Sequence, residues 1–248
     1  MISPFSLEGK TILVTGASSG IGRVVAISSS YNGAKVVITG RNKNRLNETY
    51  DHLSENESHS IITADLNSLE DIDKLSESMP VLDGVVFCAG VIEYVPAKQI
   101  SIEGLDAIMG INFKSQIMLY KALHNKRKIA KNSSLVFISS ISAQTATPAT
   151  LAYAASKAAI VSSVRVLASE LSKLRIRVNS VSPGLVKTPL LEKSEIEKEK
   201  FAENEARYPL GLCDAEDVAN AVIFLLSDAS KKITGTDIVV DGGYLLKH

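Results

Sequence analysis

The stretch TILVTGASSGIG, Thr11–Gly22, runs from a β-branched segment through three glycines into a helix-forming one. Thr11–Gly16 predicts a strand, and Gly20 to about Asn32 a helix. Gly16, Gly20 and Gly22 allow a tight turn, a close approach of backbone to a pyrophosphate, and close packing of helix on sheet. A helix that opens there offers its unpaired N–H groups to phosphates. The spacing differs from G-x-G-x-x-G, and glycine turns are common. Its position between a first strand and a first helix is what predicts a nucleotide site.

Moving outward, the same alternation repeats. AKVVITG, HSIITADL, DGVVFCAG, SLVFISS, RIRVNSVSPG and GTDIVVDGG read as further strands. Amphipathic segments such as NKNRLNETYDHL and LEDIDKLSESM read as helices between them. Near-continuous apolar strands separated by helices predict a parallel sheet covered on both faces. With right-handed crossovers, the expected class is α/β, a doubly wound Rossmann fold. No linker or repeat interrupts the pattern, so residues 1–248 are expected to form one nucleotide-binding domain. The stretch 187–212 breaks the rhythm, being charged and helix-prone. It suits either a solvated surface helix or a cover over the ligand crevice.

Composition narrows the partners. Lys plus Arg and Asp plus Glu each total 27, so nothing electrostatic points to nucleic acid or an anionic membrane. Cys88 and Cys213 stand far apart, with no metal spacing and no disulfide framework. No apolar run approaches the roughly 20 residues needed to span a bilayer. The N-terminus lacks the basic start and apolar core of a signal peptide. A cytoplasmic setting is the default expectation.

Three further places carry chemistry. An acidic residue at the end of the second strand would bind a ribose 2′-hydroxyl and favour NAD. The chain has Gly40 and Arg41 there, and a guanidinium suits a 2′-phosphate, so NADP(H) is expected over NAD(H). After the third strand, Asp65 suits an adenine amino group with Leu66 against the ring; Asp65, Asn67 and Ser68 suit a helix N-cap equally well. In YAASK, Tyr153 and Lys157 lie about one helical turn apart and share a face. An ammonium beside a phenol lowers its pKa, although such a pair is also an ordinary surface feature.

Together these motifs resemble the short-chain dehydrogenase/reductase family, nearly end to end. T-G-x-x-x-G-x-G is Gly16, Gly20 and Gly22, and N-A-G appears as Cys88-Ala89-Gly90. Asn112 in GINFKS, Ser140 in FISSIS, Y-x-x-x-K, N-S-V-S-P-G (Asn179–Gly184) and VVDGG follow in order. Cys88 is the one clear departure, standing where the family usually has Asn; it puts local hydrogen bonding in doubt more than activity. The members most resembled are 3-oxoacyl-(acyl carrier protein) reductases.

The resemblance implies a ketone–secondary alcohol oxidoreductase. Tyr153 would exchange a proton with the substrate oxygen, Lys157 would assist it and hold the ribose, and Ser140 would bind the reacting oxygen. Ser139 competes, but the 13-residue spacing to Tyr153 favours Ser140. Asn112 would hold a water in a proton relay, or make a helix-kink hydrogen bond. The loop residues Gly16, Ser18, Ser19, Gly20, Ile21 and Gly22 would contact the cofactor. So would Arg41, Asp65, Leu66, Cys88, Ala89, Gly90, Pro183, Gly184, Val186 and Thr188, with 187–212 as the substrate loop. Small residues along AYAASKAAIVSSVRVLASEL allow another helix to pack closely, and the resemblance implies that they join copies in a homo-oligomer, dimer or tetramer. Oxoacyl thioester, sugar, steroid and small ketone all remain open as substrates. Lys126, Arg127, Lys128 and Lys131 suit an acidic carrier or plain solvent. The competing class is a catalytically silent Rossmann protein that senses cofactor or binds a partner.

Overall fold

The computed structural model describes residues 3–55, 57–186 and 207–247. Strands β1 (Thr11–Thr15), β2 (Lys35–Gly40), β3 (Ser60–Thr63), β4 (Leu82–Phe87), β5 (Ile129–Ile138), β6 (Arg177–Pro183) and β7 (Asp237–Val240) form one sheet. Their order is β3-β2-β1-β4-β5-β6-β7, and every pairing is parallel. The chain runs outward from β1 to β3, then returns to β4 and runs the other way. The order therefore reverses between β1 and β4, where an open α/β sheet forms its ligand crevice.

Among the described residues, seven helices cover the sheet: α1 (Gly20–Tyr31), α2 (Lys43–Tyr50), α3 (Leu69–Ser78), α4 (Ile102–Met109), α5 (Ser115–Asn125), α6 (Leu151–Leu171) and α7 (Ala215–Leu226). Successive strand residues point to opposite faces, so one apolar run supplies two cores. Ile12 and Val14 pack with Val25 of α1 and Val222 of α7. Leu13 between them joins Leu75 of α3, Leu119 of α5 and Ile160 of α6 on the other side. This is the expected doubly wound Rossmann fold.

Three local features differ from the sequence reading. β5 begins at Ile129, five residues before SLVFISS, because exposed Lys131 and Asn132 hide the apolar pattern. Asn132 takes φ 64°, and the β4–β5 register shifts between Leu82 and Gly84. A π-helical turn, Gly110–Lys114, separates α4 from α5. Finally, one stretch, Leu151–Leu174, is long and apolar enough to cross a bilayer, contrary to expectation. Its Ile160, Val164, Leu167 and Leu171 belong to the core beneath the sheet, which accounts for its apolar character.

Candidate active site

The glycine turn lies at the switch point. Gly16 sits at φ 67°, and a Cβ there would stand 2.9 Å from Ala89 Cα, pressing β1's exit against that of β4. A Cβ on Gly22 would fall on the Gly16 carbonyl, so only glycine lets α1 start this close. The N-cap residue Ser19 makes no side-chain cap bond, and the first turn holds no acidic residue. The N–H groups at Gly20, Ile21 and Gly22 thus form an uncapped, uncompensated positive end beside Ser18 and Ser19, a donor set suited to a diphosphate. Arg23 braces the turn from below, donating to Ser18 O at 2.9 Å, Arg45 O at 3.3 Å and Thr49 Oγ1 at 3.0 Å, and pairing with Glu48.

Arg41 follows β2 and is exposed, with no ion pair among the described residues. Asn42 beside it caps α2 by accepting from Arg45 N at 3.1 Å. The cap of α3 is Ser68, which accepts from Asp71 N at 3.2 Å. Asp65 accepts from Asn67 N through Oδ1 at 3.0 Å, so that oxygen is committed to the turn. Leu66 is buried in the second core.

At the exit of β4, Thr15 Oγ1 accepts from Cys88 N at 3.0 Å and Ala89 N at 3.2 Å, and donates to Val86 O at 3.3 Å. Gln116 donates to Ala89 O at 2.7 Å. Gly90 brings bare backbone up to the buried groups: a Cβ there would stand 3.3 Å from Asn112 Oδ1 and 3.4 Å from Lys157 Nζ.

α6 presents Tyr153 and Lys157 towards this crevice. Lys157 is 4% exposed and donates to Ile138 O at 2.9 Å, with its Nζ 5.7 Å from the Tyr153 ring centre. Ser140 stands just past β5, near enough to Tyr153 to draw its phenol downward. Ser139 instead gives its hydroxyl to Lys157 O at 3.0 Å, which ties the strand end to α6. Asn112, wholly buried in the π-turn, accepts from Val91 N at 2.8 Å and donates to Val91 O at 2.9 Å and Ser156 Oγ at 3.0 Å. Both of its N–H groups are thus committed to holding the kink to the β4 exit and α6. Ser140, Tyr153, Lys157 and Asn112 are brought together around the exits of β4 and β5.

Known proteins resemble this arrangement throughout. A family model described as enoyl-(acyl carrier protein) reductase matches residues 16–245. A 3-oxoacyl-(acyl carrier protein) reductase of Rickettsia felis is 34% identical over 242 residues, covering 97% of this chain and 98% of that protein. A solved short chain dehydrogenase/reductase family protein superposes with TM-score 0.87 at 34% identity, covering 97% of this chain and 99% of the other. The chain belongs to the short-chain dehydrogenase/reductase family. It is therefore an oxidoreductase. Another family structure, a candidate NAD(P)-dependent gluconate 5-dehydrogenase from Beutenbergia cavernae with bound NADP, has TM-score 0.91 at 32% identity, covering 98% of this chain and 100% of its own.

Within this short-chain dehydrogenase/reductase, electrostatics departs from the expectation of a phenol acidified by its lysine. Burial pushes the Tyr153 phenol above its ordinary value, the Ser140 hydroxyl pulls it back, and Cys88 pushes it up further. Burial also pulls the Lys157 ammonium down to about 8, against Cys88, which raises it. The ammonium is itself starved of water and turned to the Ile138 carbonyl. Burial pushes the Cys88 thiol up to about 12 against the pull of Lys157, leaving it a neutral, unreactive group. The hydrogen bonding at this departure from the family pattern runs through the Cys88 backbone to Thr15.

Beyond β6, Gly184 N donates to Val240 O at 2.8 Å, and Leu185 N donates to Tyr208 Oη at 3.0 Å. Pro183 ends the strand, and Val186 forms an isolated parallel bridge with Cys213. The rings of Tyr208 and Tyr244, tilted by 39°, lie 4.9 Å apart against this turn. Thr188 and positions 187–206 of the expected substrate loop lie outside the described residues. Of the basic run, Lys126 pairs with Asp73 at 2.7 Å and Lys128 donates to Met79 O at 2.6 Å. Sequence reasoning missed Thr15, Arg23, Ser142 and Ser156. Each is a common residue whose partner lies far along the chain or whose role is set by a turn, so no local signal marks it.

Proposed function

We propose that the protein is an NADP(H)-dependent reductase that interconverts a ketone and a secondary alcohol. The observation that carries this is the convergence of Ser140, Tyr153 and buried Lys157 at the β5 exit, with the Lys157 ammonium on Ile138 O and 5.7 Å from the Tyr153 ring centre. Ser140 and Tyr153 would both hydrogen-bond the reacting oxygen, and Tyr153 would give it a proton as the carbonyl becomes an alkoxide. Lys157, with its ammonium close to Gly90, would hold the ribose hydroxyls. When bound, the cofactor would supply the hydride. The uncapped start of α1 would take the diphosphate, Arg41 a 2′-phosphate, and Asp65 and Leu66 the adenine. Cys88, Ala89, Gly90, Pro183, Gly184, Val186 and Thr188 would line the rest.

NADP in the Beutenbergia cavernae structure supports the cofactor choice, as does the missing carboxylate after β2. The Rickettsia felis relative supports a 3-oxoacyl thioester as the first substrate to try. Residues 187–212 would close over it within one 1–248 domain, in a cytoplasmic homo-oligomer. The test is NADPH and NADH oxidation against 3-oxoacyl thioesters, sugar ketones, steroids and small ketones. NADPH is expected to be preferred at least about tenfold, and Arg41→Ala to erase most of that preference. Tyr153→Phe is expected to lower kcat at least about 100-fold. Full activity in that variant would remove Tyr153 as proton donor, and no turnover of any ketone would favour a silent cofactor sensor.

A further inference from the structure

We propose that Ser142 is a positioning residue: its N–H and hydroxyl fill both acceptor sites of Ser140 Oγ, turning the Ser140 proton toward the reacting oxygen. This rests on the reading of Ser140 and Tyr153 given above. A serine hydroxyl has one proton to donate and two lone pairs that accept. Ser140 is the N-cap of the short 3₁₀ turn Ile141–Ala143, and that turn aims Ser142 N at Ser140 Oγ, 3.1 Å away. One lone pair is thereby filled by backbone, whatever the side chain at 142. The Ser142 hydroxyl stands 3.2 Å from the same oxygen.

The proton between the two hydroxyls can run either way. If Ser140 donates to Ser142, it has nothing left for a ketone oxygen or for Tyr153. If Ser142 donates, Ser140 has both lone pairs occupied and can act only as a donor, directed outward. A ketone oxygen carries no proton, so Ser140 can bind it only as a donor, and that requires the second arrangement. Ser142 Oγ has no other partner among the described residues, so its proton is available for the task. Alanine at 142 would restore Ser140 to an ambiguous rotor, with one lone pair unfilled.

The experiment uses the full chain and the ketone that the substrate panel selects. Ser142→Ala keeps the backbone donor and removes the hydroxyl. It is expected to lower kcat about fivefold with KM little changed, the loss of one neutral hydrogen bond. Ser142→Thr is expected to restore the rate. In a Ser140→Ala background, Ser142→Ala is expected to add nothing, because the two act as one unit. The alkaline limb of reduction, where the phenol ionises, should move upward in Ser142→Ala, since the phenolate has lost support. A wild-type rate and limb in Ser142→Ala would overturn the proposal. So would a loss that persists without Ser140, or one that Thr fails to reverse. Circular dichroism checks folding, and Ser142→Cys, a weak donor of similar size, takes the place of an alanine variant that does not fold. Full activity in Ser140→Ala would sink the underlying reading instead, which keeps the two failures apart.

Discussion

Lys157 is an ammonium in a place that withholds water from it. Its folded pKa of about 8 lies below the ordinary 10.5, so between those values the unfolded chain binds more protons than the folded one. Stability then rises with pH across that window, as it does for any group whose folded pKa is depressed. Wild type is expected to gain up to about 3 kcal/mol over the window relative to Lys157→Met, which has no such group. Urea unfolding midpoints at pH 8 and 10 would show it, and parallel pH profiles for the two proteins would refute it. The same residue was legible in YAASK as a partner for Tyr153, because a four-residue spacing puts both on one helical face. Which way desolvation and attraction balance was not legible. That balance depends on Ile138 O, Cys88 and Gly90, which approach from other strands.

At the scale of elements, the glycine turn, β1 and α1 form the part most completely specified by local chemistry. Gly22→Ala is expected to weaken NADPH binding at least about tenfold and to cost about 1–3 kcal/mol of stability, because its Cβ falls on the Gly16 carbonyl. Fluorescence titration with NADPH and thermal unfolding measure the two effects; an unchanged dissociation constant would show that the turn tolerates side chains. The start of β5 was not legible, since Lys131 and Asn132 point to solvent and break the apolar run. Nor was the π-turn at 110–114. One extra residue in a helical turn leaves the composition unchanged, and here it is held by bonds from Asn112 to Val91 and Ser156.

For the whole molecule, α6 shows what its neighbours in the chain leave uncovered. Its inward face lies on the second core, while Ala155, Ala158, Ser162 and Val166 form an exposed stripe, Val166 at 56% and the nearby Leu151 at 50%. A stripe of small residues with one branched aliphatic permits a second helix to approach closely. Light scattering is expected to give a multiple of 26.6 kDa at micromolar concentration. Val166→Arg is expected to lower that multiple; a monomeric wild type would refute the homo-oligomer.

The order of strands and helices, the place of the glycine turn and the candidate residues Ser140, Tyr153 and Lys157 could all be read directly from the chain. The elements and the turn depend on periodicity and short-range spacing, which backbone geometry converts into structure without help from distant residues, while the three side chains were singled out by the resemblance to the family. Tertiary structure alone decided that Ser139 is spent on the Lys157 carbonyl while Ser140 faces Tyr153. It alone also brought in the burial that draws both the Tyr153 phenol and the Lys157 ammonium toward their neutral forms. Both outcomes turn on which strand exits converge and how much water they exclude, and neither quantity is a property of any one segment.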